Sequence, residues 1–425
     1  MSSFVINGGK VLSGEIAVNG SKNAVLPLIA ASLLTSEKIS IENVPKITDV
    51  SNLITILEKL GVDVIKQNNQ LVINAKSVDV SKMPDNLVGK LRGSILLVGS
   101  LLGRKGEVTL PQPGGDIIGA RPIDVHLDAL KQLGCKVDQS GNKIHIDGKN
   151  LKAGRVVLRE FSVTATENIM LVAATLPGKT TIHIAASEPH IVNLAELLSK
   201  MGADIEGAGT HTITITGKKK LSAASVTTIP DMLEAGFFIL LAAATKSNIN
   251  VTNVPIEDLD LFFKKLDDIG VDYEIKENTV QIKPAPLKSF SVQTIPHPGI
   301  ATDLQAPFSV VASQADGATL IHDPMYESRF KHCDEMIKMG ASVTVCDPHR
   351  VIIEGPTQLH GSHINSLDIR SGATLVMAGL VAKGETIIEE AEIIERGYAD
   401  LVDRLQKIGA DIKQVDTDSS NTDST

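Results

Sequence analysis

Tryptophan is absent from this chain of 425 residues, and aromatic residues make up only 3% of it. With so few rings there is no stacking platform for unpaired bases. Basic charge is scarce too: 41 Lys and Arg stand against 50 Asp and Glu, a formal net charge of −9. That balance argues against a nucleic-acid-binding surface, and the one basic run, residues 218–220, reads as a solvated turn. Cys135, Cys333 and Cys346 lie far apart, which speaks against a disulfide framework or a metal cluster and suits a reducing cytoplasm. The longest apolar runs, such as residues 236–244, fall short of the roughly 20 residues that a membrane span needs. No basic segment followed by an apolar block opens the chain, so no secretory signal is expected. The cofactor-binding patterns G-x-x-x-x-G-K and G-x-G-x-x-G are missing as well.

What the chain does contain is 43% apolar and 21% charged residues, the balance of a soluble globular protein with room for two domains. Its strongest signal is an internal repeat. An amphipathic helix ending in glycine and followed by a short strand occurs six times, at Gly61, Gly134, Gly202, Gly270, Gly340 and Gly409. The spacing is about 70 residues, and each glycine falls where a helix stops and a positive φ is wanted. Upstream of each lies a second helix, apolar nearly all round and rich in Ala, for example "AVLPLIAASLL" and "AGFFILLAAAT". Such helices belong in an interior.

Six alike copies without polar capping units favour two closed groups of three over a solenoid. The expected fold is therefore α/β: two closed domains, each of three repeats, with the apolar helices inside and sheets and amphipathic helices outside. The stretch "LSGEIAVNG" resembles the strand that closes a copy, yet no copy precedes it. It is expected to complete the last copy. The domains are then 22–229 and 1–21 plus 230–415, with 416–425 a polar, disordered tail.

Unusual polar residues collect where each interior helix begins: Lys22 with Asn23, Arg92, Ser162, Asp231, Asp303 and Arg370. Helix N-termini offer free N–H groups and a positive dipole end, which suit an anionic ligand. Ser162 and Asp231 can equally be plain helix caps. Lys22, Arg92 and Arg370 cannot cap, and they oppose the dipole unless an anion is near. Arginine adds the bidentate fork that matches carboxylate or phosphate.

The second copy also carries an insertion of about seven residues, "PQPGGDIIGARP" at 111–122. Loops that outgrow their scaffold are often functional. Gly114, Gly115 and Gly119 fit a hinged lid, although a flexible turn would look the same.

Taken together, "GSKNAVLP", "LRGS", "PGGDIIGARP", "TDLQAP", "ESRF", "LDIRSGA" and "ERGY" occur in the order found in one family. The chain resembles the enolpyruvyl transferases that act on UDP-N-acetylglucosamine, over about residues 4 to 413. That resemblance implies two inside-out domains and transfer of the enolpyruvyl group of phosphoenolpyruvate to the sugar's 3-hydroxyl. It also implies addition and elimination through a tetrahedral intermediate, with neither metal nor cofactor. Lys22, Asn23, Arg121, Arg370 and Arg396 would hold phosphoenolpyruvate, clustered cations being what a trianion needs. Asn23 and Asp303 would contact the acceptor sugar, with Asp303 as general base. Arg92, Arg121, Pro122, Ile123, Asp124, Val125, Ser162, Val163 and Met325 match nucleotide-binding positions. Glu188, Glu234 and Arg329 match other polar positions of the site.

Two departures follow. Asp116 stands where the family usually has a lid cysteine, the residue that fosfomycin alkylates. A carboxyl group can still donate a proton, so Asp116, Lys22, Asp303 and Arg396 are the expected catalytic set and turnover is expected to be fosfomycin-insensitive. An isolated aspartate titrates near about 4, and Arg121 would lower that, so an acidic role at neutral pH needs desolvation or a bound anion. Glu160 and Met232 stand where relatives often carry basic residues, and no nucleotide contact is assigned to them. Two other readings stay open, the sister transferase acting on shikimate 3-phosphate and a silent UDP-sugar-binding relative. The glycine-rich insertion favours the UDP-sugar enzyme, and intact Lys22, Asp303, Arg370 and Arg396 disfavour silence.

Overall fold

The computed structural model describes residues 2–111, 113–114, 122–139 and 141–416. Six interior helices run over Lys22–Ala31, Leu96–Lys105, Val163–Ala173, Met232–Ala244, Gln305–Gln314 and Ile369–Val381. Their composition explains the placement: in the fourth, every residue from Leu233 to Ala244 is buried. No polar stripe remains to face water. The outer helices, such as Pro189–Lys200 and Asp260–Ile269, bury one face only. All six repeat glycines take a positive φ, between 81° at Gly270 and 115° at Gly202, so each ends its helix as the spacing predicts.

The chain divides into two compact units, one holding residues up to Asn19 and from Pro230 on, the other running from Gly20 to Ile229. In the first, the fourth, fifth and sixth interior helices pack on one another. Phe237, Phe238, Phe262 and Phe308 are buried in their common core. In the other, the second interior helix packs against both the first and the third. No described helix is long and apolar enough to cross a membrane.

Each copy builds a sheet from the strand after its interior helix and the hairpin after its outer helix. In the first copy, Lys38–Glu42 pairs antiparallel with Gln70–Asn74, which pairs in turn with Asp63–Gln67. In every copy but the second, whose sheet has three strands among the described residues, a fourth, parallel strand arrives from another copy of the same unit. Arg155–Val157 joins the third sheet in this way, Ser291–Gln293 the fifth and His363–Asn365 the sixth. Ala224–Thr227, at the end of the third copy, returns to the first.

That rule corrects the expectation for the chain's start, because two strands lie there rather than one. Strand β1, Ser2–Asn7, runs antiparallel between Glu385–Glu389 and Asp411–Asp416, as the missing hairpin strand of the sixth copy. Strand β2, Ser13–Ala17, is the "LSGEIAVNG" strand, and it lies parallel to Asn248–Thr252 of the fourth copy, not in the last. A closing strand joins the next sheet of its ring, and after the sixth copy the next is the fourth. Asp416, assigned to the tail by composition, still pairs with Ser2, since a backbone ladder needs no apolar side chain. The rest of the tail lies outside the described residues.

Candidate active site

In the unit of residues 20–229, Lys22 opens the first interior helix behind Ser21, whose hydroxyl accepts from Ala24 N–H at 3.3 Å. Lys22 does not stand alone against the helix dipole. Its Nζ lies 2.7 Å from Asp49, a nearly buried acid in the first turn of the outer helix Thr48–Lys59. In the sequence Asp49 reads as an ordinary first-turn acid, so this partner was not legible. Asn23 follows, half-buried.

Arg92 begins a tight turn, and its guanidinium donates to the carbonyl of Pro122 at 3.4 Å. The segment 122–125 thus lies against Arg92, with Ile123 and Val125 turned inward and Pro122 and Asp124 exposed. Ser162 proves to be a cap: its hydroxyl accepts from Ala165 N–H at 3.4 Å, and Val163 is the first helical residue. One further residue joins these two segments. His126 Nε2 lies 2.8 Å from the hydroxyl of Thr164, tying the outer helix Asp124–Gln132 to the third interior helix. Burial, aided by the charge of Arg92, pushes His126 down to about 4, so the ring is neutral. It follows the nucleotide-matching run directly, which is the signal that could have found it.

The next turn of the third interior helix faces the loop before Pro189–Lys200. Thr166 accepts from Ala186 N–H at 3.0 Å. Beside it Glu167 is fully buried, and burial together with the neighbouring Glu188 raises its pKa well above the usual carboxylate range. Gly114 changes meaning here. A Cβ built on it would lie 1.7 Å from the carbonyl oxygen of Gly89, so this glycine serves a close backbone approach rather than a hinge. Gly115, Asp116, Gly119 and Arg121 lie outside the described residues.

The other unit gathers more charge. Asp303 sits in the short turn Thr302–Leu304 before the fifth interior helix. Its carboxylate takes Arg370 Nε at 2.9 Å on one oxygen and the guanidinium of Arg329 on the other. Both arginines are buried, with 5% exposure for Arg329 and 6% for Arg370. Arg370 is held from below: its guanidinium lies 5.2 Å from the ring centroid of Tyr398. Burial works against the charge of Arg370. Tyr398, Asp303 and Asp231 outweigh it and keep the group charged well above its ordinary range. Even so, Arg370 Nη1 is buried and makes no hydrogen bond among the described residues.

Asp368 caps the sixth interior helix, accepting from Arg370 and Ser371 N–H at 2.9 and 3.0 Å. Asp231 caps the fourth in the same way. Arg396, half-buried, ends the turn Ala391–Arg396. The following Gly397 lets that turn close on the sixth helix, since a Cβ there would lie 2.5 Å from Ile369. Met325 is exposed, and its N–H donates to buried Asp323 at 2.9 Å. Glu234 is engaged inside its own unit, by Arg404 at 2.6 Å and by Asn19 N–H at 2.7 Å. Tyr398, Asp323 and Asp368 are residues that sequence reasoning did not single out. No group of His, Cys, Asp or Glu among the described residues could hold a metal ion.

Chemically, a carboxylate between two buried guanidiniums, one of them with a spare donor, suits an anionic substrate beside a proton acceptor. The family described as EPSP synthase (3-phosphoshikimate 1-carboxyvinyltransferase) matches residues 6–405. A UDP-N-acetylglucosamine 1-carboxyvinyltransferase of Streptococcus mutans is 43% identical over 98% of this chain and 100% of its own length. One from Treponema denticola is 40% identical over 97% and 99%. Among solved structures, the enolpyruvyl transferase NikO from Streptomyces tendae superposes with a TM-score of 0.89 at 26% identity, covering 97% of this chain and 99% of that one. EPSP synthase from Acinetobacter baumannii, at 20% identity over 98% and 100%, shares the fold with a TM-score of 0.75.

Proposed function

The chain belongs to the UDP-N-acetylglucosamine 1-carboxyvinyltransferase branch of the EPSP synthase family, and we propose on that footing that it transfers an enolpyruvyl group. The donor is phosphoenolpyruvate, the acceptor is the 3-hydroxyl of UDP-N-acetylglucosamine, and phosphate is released, as the opening step of peptidoglycan synthesis. A nucleotide-sugar acceptor and three unpaired thiols suit a cytoplasmic enzyme.

The observation that carries the site reading is Arg370. A buried, permanently charged group with an unspent donor costs free energy unless an anion completes it. Arg370, Arg396, Lys22 and Arg121 hold the phosphate and carboxylate of the donor. Asp303 takes the proton of the 3-hydroxyl as that oxygen bonds to C2, while C3 gains a proton and becomes a methyl group. Loss of phosphate from C2 and of a proton from C3 then restores the double bond. Asn23 contacts the acceptor sugar. Arg92, Arg121, Pro122, Ile123, Asp124, Val125, Ser162, Val163 and Met325 hold its nucleotide. Asp116 is the lid acid that supplies or removes a proton at one of these steps.

Phosphate release decides the reading. We expect it with phosphoenolpyruvate and UDP-N-acetylglucosamine but not with shikimate 3-phosphate; the reverse result would move the chain to the sister activity, and no release with either would make it a silent binder. Arg370→Ala is expected to lower kcat/KM for phosphoenolpyruvate at least about 100-fold. Turnover should survive fosfomycin, and Asp116→Cys should make it sensitive to covalent inactivation. An Asp116→Cys enzyme left unlabelled would remove the loop from the donor site.

A further inference from the structure

Asp323 is 0% exposed, and nothing in the proposed chemistry uses it. It follows the strand Gly317–His322, and its backbone is pinned on both sides to His349. Its N–H donates to the His349 carbonyl at 2.8 Å, and its own carbonyl accepts from His349 Nδ1 at 2.8 Å. The side chain is divided between two turns. One oxygen accepts the hydroxyl of Thr302, and the other accepts Met325 N–H at 2.9 Å. Thr302 also accepts from Arg329 Nε at 3.3 Å, so its one hydroxyl proton is free to go to Asp323. The remaining reach of Arg329 ends on Asp303, which Arg370 grips from the other side. A single buried carboxylate therefore joins the turn carrying Asp303 to the turn carrying Met325.

We propose that Asp323 is a positioning residue for the acceptor: it locks the turn of the general base to the turn under the nucleotide, through Thr302 and the Met325 amide. This rests on the reading that Asp303 and Met325 face UDP-N-acetylglucosamine. A buried carboxylate is tolerated only when its oxygens are satisfied, and here each oxygen is spent on a different turn. Loss of either bond frees the two turns to drift relative to each other. Displacements of about 1 Å in a positioning shell cost up to about 100-fold in rate. Phosphoenolpyruvate, bound by the arginines, should feel this much less than the acceptor.

The test is steady-state kinetics of the full chain with Asp323→Asn, Thr302→Val, the pair combined, and Thr302→Ser. Asp323→Asn keeps the volume and the acceptor for Met325 but turns a donor toward Thr302. We expect Asp323→Asn and Thr302→Val each to raise KM for UDP-N-acetylglucosamine about 10-fold while KM for phosphoenolpyruvate stays within about twofold. The double variant should be no worse than the worse single one, and Thr302→Ser should restore wild-type values. Independent, multiplying effects would overturn the proposal, as would equal shifts in both KM values or no shift at all. Should Asp323→Asn not fold, the Thr302→Val and Thr302→Ser comparison decides alone. Met325→Ala guards the premise: an unchanged acceptor KM there would discard the placement of the nucleotide, whatever Asp323→Asn does.

Discussion

Glu167 puts a carboxyl group into the packed face of the third interior helix, where one of its oxygens has no partner among the described residues. Burial, then the nearby Glu188, raises its pKa, so the folded state favours the protonated form. A carboxyl raised in this direction is tolerated in acid and penalised as pH rises through its folded value. Glu167→Gln, neutral at every pH, should therefore stabilise the fold at pH 8, read as a higher urea midpoint. The gain should shrink toward pH 4.5. A Gln variant less stable than wild type at pH 8 would mean that the charged form is wanted there. Single residues were legible when their role was local. Ser162 and Asp231 are the caps that their positions allow, and each accepts from its own helix. Lys22 and Arg370 looked like cations in want of an anion, but Asp49 and Asp303 stand beside them. Asp303 lies 67 positions from Arg370, and no local pattern in the chain announces such a pairing.

Among the helices, the close approach of the second and third interior helices depends on Gly99. Its N–H donates to the side-chain oxygen of Asn168 at 2.6 Å, and a Cβ would lie 2.5 Å from the backbone oxygen of the same residue. Alanine normally gains about 1 kcal/mol over glycine in a helix. Here overpacking against helix backbone should cost about 1–3 kcal/mol, so Gly99→Ala should lower the thermal midpoint instead of raising it. A raised midpoint would show that the two helices can part at little cost. This is the scale at which the sequence was most readable. Apolar runs bare of polar residues marked interior helices, and a glycine after an amphipathic stretch marked each outer helix end. Both signals are local and repeat six times. The Gly99–Asn168 contact was not readable, because it joins two copies. Nor was the division of labour in the loop before residue 122, where Gly114 turned out to serve the Gly89 backbone.

For the molecule as a whole, acid should be destabilising in both units through buried histidine. Burial pushes His126, in one unit, and His332, in the other, down to about 4. Above pH 6.5 both are neutral whether folded or not and contribute nothing. As pH falls from 6.5 toward 4 the unfolded chain binds protons that the folded one refuses, costing up to about 3 kcal/mol per histidine. The urea midpoint should thus fall between pH 7 and pH 5, and a flat profile would place charged histidines in the folded protein. The arrangement of the sheets was the least legible feature. One strand was recognised near the start where two exist, because β1 resembles no closing strand: it is an inner strand of a sheet whose other members are His363–Asn365, Glu385–Glu389 and Asp411–Asp416. A chain beginning at Leu12 should therefore lose the slow hydrogen exchange of Glu385–Glu389 and Asp411–Asp416, while the unit of residues 20–229 keeps its own. The same strand sets an order in time. As the polypeptide leaves the ribosome, the continuous unit can close soon after Ile229 emerges. β1, made before every other described element, must wait for Asp411–Asp416, the last of them to appear. Until Glu385–Glu389 has been made, neither edge of β1 has its native partner, so it is exposed to wrong pairings for most of synthesis.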